Sequence, residues 1–224
     1  MKKLILLVVV FGLIVAYCDV ASASIITFPV DRSLGTSGTS APIGAFTGET
    51  DPLATQAGNL KDGNTVFSDR TYPWNLTPVG MKGMEYVRTF NTDKSGSEFN
   101  VSYKVTIGEP AVLWMAVDNR LADEDGDGIL DNALLLAWVE LATYRLPSSV
   151  QFADSGMDVY VAENSTTNRP MSVFMTTTAL PAATYDFGLN PGGKNFYIIG
   201  AVPEPATIAL LGFGGLALLR RKRS

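Results

Sequence analysis

The sequence contains no histidine, and its one cysteine is Cys18. Without histidine there is no Ser-His-Asp triad and no imidazole-rich zinc or copper site. Cys18 lies in an N-terminal apolar run, so a chain that sheds this run has neither a thiol nucleophile nor a disulfide. Its stability must then come from a hydrophobic core, for which about 180 residues suffice. Positive charge is scarce as well. Residues 1–23 carry Lys2, Lys3 and Asp19, and the last stretch carries Glu204 and four cations, so 17 basic and 22 acidic residues fall to 11 and 20 between them, a net charge of −9. A domain this acidic offers no basic patch to phosphates, which argues against nucleic acid or anionic lipid as its partner.

What is present is concentrated first at the two ends. Lys2 and Lys3 precede the apolar run from Leu4 to Ala16, and Ala21-Ser22-Ala23 supplies small residues before Ser24. This is the layout of a secretory signal peptide over residues 1–23. A lipoprotein signal would acylate Cys18, but Tyr17 is bulky where a small residue is needed. At the other end, residues 202–224 hold three parts in order: Pro203-Glu204-Pro205, the uncharged run Ala206 to Leu219, and the cations Arg220, Arg221, Lys222 and Arg223. Fourteen residues as a helix rise about 21 Å, short of a hydrocarbon core of about 30 Å. The terminal cations would stay cytoplasmic. Such a segment suits temporary anchoring, with the two prolines keeping its upstream flank extended.

The tail resembles the PEP-CTERM sorting tail of exported bacterial proteins, with Pro203, Glu204 and Pro205 matching its signature triplet. That resemblance implies an exosortase as processing partner, transient residence in the inner membrane, and a Gram-negative bacterium that makes extracellular polysaccharide.

Between the ends, residues 24–59 are rich in Gly, Ser, Thr and Pro, with Ile25-Ile26 as a candidate first strand. The packed domain is expected over residues 60–201. Phe99, Val101, Tyr103, Val105 and Ile107 alternate with polar residues from Glu98 onward, the period of a strand with one wet face. Ala111 to Val117 is apolar throughout and suits a central strand. Ala133 to Leu146 is the one helix candidate, with Leu134, Trp138, Leu141 and Arg145 near one face and Leu135, Leu136 and Val139 on others, a pattern open to a buried helix or a strand-containing crossover. Short strands then recur at 150–153, 158–163, 171–177, 184–189 and 195–202, with a turn at Asn190-Pro-Gly-Gly193. The expected fold is mainly β: a single antiparallel β-sandwich, jelly-roll-like, with at most one short helix, flanked by the signal and a C-terminal transmembrane sorting helix. The segments Ser68–Trp74, Tyr86–Asn91, Asp93-Lys94 and Trp114–Arg120 are similar to a layout in galactose-binding-like sandwich domains. That resemblance, over Asp62 to Ala201, implies a fold and by analogy a carbohydrate-facing role.

Two local patterns could carry chemistry. Asp123, Asp125, Asp127 and Asp131 fill the first, third, fifth and ninth places of a calcium loop, with Gly128 at the sixth and the Ile129 carbonyl at the seventh. The pattern resembles the short loops of dockerin and thrombospondin-type repeats. Leu134 stands at the twelfth place instead of a bidentate carboxylate, so a weak calcium site is expected, against the alternative of a solvated acidic loop. Tyr72 and Trp74, in an aromatic loop, could stack on a sugar ring or instead cap the core. The carboxylates Glu85, Glu98, Glu109, Glu140 and Glu163 are scattered, and no motif marks a catalytic pair. The expected function is therefore that of a non-catalytic structural or polysaccharide-associated module of the envelope or matrix. The alternative is a carbohydrate-binding module or carbohydrate-active enzyme.

Overall fold

The computed structural model describes residues 24–34, 49–50, 57–95, 101–122, 131–188 and 194–204. The expected signal peptide and the apolar and basic parts of the tail lie outside them. Among the described residues no helix is long and apolar enough to cross a membrane.

The described residues form eleven strands and one α-helix in two sheets. The strands are β1 (Asp31–Leu34), β2 (Glu49–Thr50), β3 (Ala57–Asn59), β4 (Trp74–Asn75), β5 (Glu85–Val87), β6 (Val101–Ile107), β7 (Ala111–Asp118), β8 (Phe152–Ala162), β9 (Asn168–Thr176), β10 (Ala183–Phe187) and β11 (Ile198–Pro203); the helix α1 is Asn132–Thr143. Four strands pair in the order β10-β6-β1-β2 and seven in the order β3-β5-β11-β7-β9-β8-β4. Every named pair is antiparallel. One hydrophobic cluster draws on both sheets: Tyr103, Val105 and Phe187 from the smaller, and Leu113, Met115, Val173 and Ile199 from the larger.

Burial follows the sequence patterns where these are strong. Every residue of β7 is buried, and it lies between β11 and β9 as a uniformly apolar strand must. In β6, Val101, Tyr103, Val105 and Ile107 face the core while Lys104 is exposed. β11 is also buried, and Gly200 is its tightest point. A Cβ there would lie 2.1 Å from the Trp114 ring and 2.4 Å from the Glu85 carbonyl oxygen, so only glycine lets the two neighbouring strands close on β11.

Three expectations change. The two strands expected at 150–153 and 158–163 are one strand, β8, interrupted by a register shift between Asp154 and Met157. Gly156, at φ +69°, supplies the left-handed residue of this bulge. The helix ends at Thr143 rather than Leu146, and it buries Leu135, Val139 and Ala142, spaced four and three residues apart, while Leu141 is 49% exposed. Its start is set by Asp131, whose side chain accepts from the backbone N–H groups of Ala133 and Leu134. Packing also begins well before residue 60. Ile25, Ile26 and Val30 are core residues, and Ile26 bridges to Ile107.

β1 holds its place through a buried ion pair. Arg32 donates from Nε to Asp93 at 2.9 Å and from Nη2 to the other carboxylate oxygen, and its guanidinium lies 4.2 Å from the Phe90 ring centroid. Tyr103 donates to the same carboxylate and accepts from the Phe90 N–H. Burial first, and then the Asp93 charge, push the Tyr103 hydroxyl well above its ordinary pKa.

Candidate sorting junction

Pro203 is the last residue of β11 and stands opposite Ala111 of β7. Ala111 donates its N–H to the Leu180 carbonyl at 3.0 Å and accepts the Leu180 N–H at 2.7 Å. A strand residue in an antiparallel ladder sends both groups to one side, so Ala111 turns away from Pro203 and their pair is of the non-hydrogen-bonded kind. On the other flank, β5 pairs with β11 only from Ile199 to Ala201. The N–H that proline lacks therefore costs the ladder nothing, and the ring ends the strand. The triplet Pro203-Glu204-Pro205 begins inside the packed sheet, with no spacer before it. Glu204 is exposed, and Pro205 lies outside the described residues.

The other end of the domain meets this edge. The Glu85 carboxylate accepts from the Ile26 N–H at 2.9 Å and from the Ser24 hydroxyl at 3.1 Å, and Glu85 is the strand partner of Ala201. Ser24, which directly follows the expected signal cleavage, thus lies beside the strand that leads into the triplet. Glu85 reads in the sequence as one more scattered carboxylate, and no local motif marks this bridge.

Beside the junction is a groove of about 700 Å³. Met84, Met157, Met175, Val112 and Val202 form its apolar floor, and Lys82, Asp154 and Glu204 are among its polar residues.

A second cluster lies where β7 runs out toward the acidic loop. Asp118, fully buried, accepts from the Arg120 backbone N–H at 3.0 Å, from Arg120 Nε at 2.9 Å and from the Asn195 N–H at 3.1 Å. Glu163 accepts from Arg120 and from Asn195 Nδ2, each at 3.0 Å, and from Arg169 at 2.9 Å. Asn195 Oδ1 in turn accepts from Asn91, and Asn91 Oδ1 from the Phe196 N–H. Burial alone would raise the Glu163 carboxyl, but the Arg169 hydrogen bond, the Arg120 charge and Asn195 outweigh it and hold it below its ordinary value. The Arg120 guanidinium is raised, chiefly by its hydrogen bonds to Asp118. These groups satisfy one another. The arrangement is a clamp that ties β7, the end of β8, β9 and the approach to β11 together.

The expected calcium residues Asp123, Asp125, Asp127 and Ile129 lie outside the described residues. Asp131 is described: it is exposed, and one of its oxygens caps α1 while its N–H donates to the Ala122 carbonyl at 3.1 Å. Ala122 and Asp131 thereby close the base of the acidic loop, and capping leaves the carboxylate with further lone pairs for a cation. Of the two aromatic candidates, Trp74 is only 1% exposed and meets Tyr86 edge-on at 5.4 Å between centroids. Neither face of its indole is open to a sugar ring; core packing has claimed it. Tyr72 is half-buried, packs edge-on against Phe67 and does not line the groove.

No curated protein matches the chain. Among solved structures, it is similar to a beta-glucuronidase from glycoside hydrolase family 2, at 16% identity and a TM-score of 0.46, over 71% of this chain and 14% of that one. The chain thus corresponds to about one seventh of that enzyme's length. Residues 201–223 match the PEP-CTERM protein-sorting motif, so that the motif begins at Ala201, two residues inside the end of β11. The chain carries a PEP-CTERM protein-sorting motif at its C-terminus, the mark of an exported protein with a C-terminal sorting tail.

Proposed function

We propose that this chain is a non-catalytic exported protein of the bacterial envelope or extracellular matrix, a structural or polysaccharide-associated module. The signal peptide delivers it, the tail holds it briefly at the inner membrane, and an exosortase acts near Pro203-Glu204-Pro205 to release or attach it. The observation that carries this reading is the match at residues 201–223. The junction geometry supports it: with Ser24 bonded to Glu85 and Glu85 paired with Ala201, both targeting segments leave from one edge of the domain. A precursor held by both ends can then rest on one membrane without strain across the fold.

A calcium ion held weakly by Asp123, Asp125, Asp127, Asp131 and the Ile129 carbonyl is part of this reading. It would relieve the repulsion among the loop's acids. The two sheets, sharing one core, are read as the halves of a jelly-roll-like sandwich; an experimental structure in which their inner faces do not pack together would remove that element. Fractionation of cells with one tag inserted at Gly38, in the stretch rich in Gly, Ser and Thr, and another after Ser224 tests the sorting. Separation of the two tags is expected, and both remaining on one species at steady state contradicts processing.

A further inference from the structure

The groove beside the junction has a composition that selects its occupant. Three half-buried methionines from three separate elements, Met84 before β5, Met157 on β8 and Met175 on β9, line it together with Val112 and Val202. The bulge at Asp154 to Met157 bends β8 at this place, and Asp154, Ser155 and Met157 are in the wall. Among the described residues no aromatic ring lines it, so they offer no flat stacking surface on which a sugar would rest. Flexible, polarisable thioethers suit instead an apolar peptide of irregular shape.

The nearest such peptide is covalently attached. Glu204 is in the groove wall, and after Pro205 the chain continues as Ala206-Thr-Ile-Ala-Leu-Leu211. A segment tethered without a spacer faces its site at an effective concentration of about millimolar or more, so weak docking suffices to fill it. We propose that in the full-length precursor this groove shelters the first apolar residues of the chain's own tail, Ala206 to Leu211, until a membrane takes them. Such docking would keep the apolar run from other chains during export. It holds whichever enzyme later processes the tail.

The test uses the full-length chain, translated in a membrane-free extract, with a photo-cross-linking amino acid in place of Met157. A second version carries it at the exposed Thr178, also in the groove wall, where a large probe is tolerated, and a control carries it at Leu141 on α1. Adducts within one chain to residues 206–211 are expected from Met157 or Thr178, at about ten times the Leu141 yield. Yields equal to the control from both positions overturn the proposal. So do adducts that join a labelled to an unlabelled copy, which would make the groove a contact between chains. Because no exosortase is present, the outcome is separate from whether the tail is later cut.

Discussion

Pro203 faces Ala111 across a non-hydrogen-bonded pair at the end of the fully buried strand β7, so the sorting triplet starts within the sheet. β11 lies between β5 and β7, and its residues Ile198, Ile199 and Ala201 are in the core. A cut before β11 would remove an interior strand, whereas a cut at or after Pro203 leaves every ladder bond in place. The domain and its address thus overlap at Ala201, Val202 and Pro203.

Glu204 is exposed, and replacing it disturbs no packing. Glu204→Gln is expected to leave the unfolding free energy within about 0.5 kcal/mol of the parent's. Loss of the acidic member of the triplet is expected to stall processing, so that an immunoblot for a tag after Ser224 shows the full-length species accumulating. Processing at the parent rate would detach the triplet from sorting.

Gly200 is the test of the fold's tightest contact. Gly200→Ala drives a methyl into the Trp114 ring and the Glu85 carbonyl, of which the carbonyl is backbone and cannot swing away. Chemical denaturation is expected to show a loss of about 3 kcal/mol. An unchanged midpoint would mean that β11 does not lie this close to β7 and β5.

The clamp predicts acid sensitivity. Glu163 and Asp69 both have folded pKa values below their ordinary 4.5 and 3.8. For Asp69, burial opposes the shift, but hydrogen bonds from Thr92 and the Asn91 and Thr92 backbone outweigh it. A depressed carboxylate binds fewer protons folded than unfolded, so its contribution is complete above the unfolded value and is lost as pH falls through the folded one. Stability is therefore expected to decline from about pH 4.5 downward. Glu163→Gln, which cannot serve two guanidinium groups, should cost about 2 kcal/mol at neutral pH and flatten that decline. Equal acid slopes for parent and variant in urea titrations would exclude Glu163 as a source.

If the acidic loop holds calcium, stability must depend on it. At a free concentration one hundred times the dissociation constant, the fold gains about 2.7 kcal/mol. The gain should vanish in Asp125→Asn. A melting temperature identical with calcium and with chelator would dispose of the site.

The strongest physical signals were the legible ones. β7 shows as an apolar run, β6 as an alternation, and the tail as three blocks in a fixed order. Other features depend on partners distant in the chain. Nothing near Arg32 announces that a charged residue will be buried in a strand, because Asp93, which neutralises it, comes much later. Glu163 looks like a surface charge until β8 and β9 bring it to Arg120 and Arg169. Ser155-Gly156 reads as a turn between two strands, yet β9 pairs with both sides of it and makes them one. Trp74 fits a loop by its neighbours, and only the packing of Tyr86 against it shows that it belongs to the core.

The most direct measurement is the C-terminal residue of the protein recovered from outside the inner membrane, read by mass spectrometry of the intact chain. The account predicts an N-terminus at Ser24 and a C-terminus at or just beyond Pro203, with β11 retained and the run Ala206 to Leu219 gone. A chain that still ends at Ser224, or one that ends before Ile198, would contradict it.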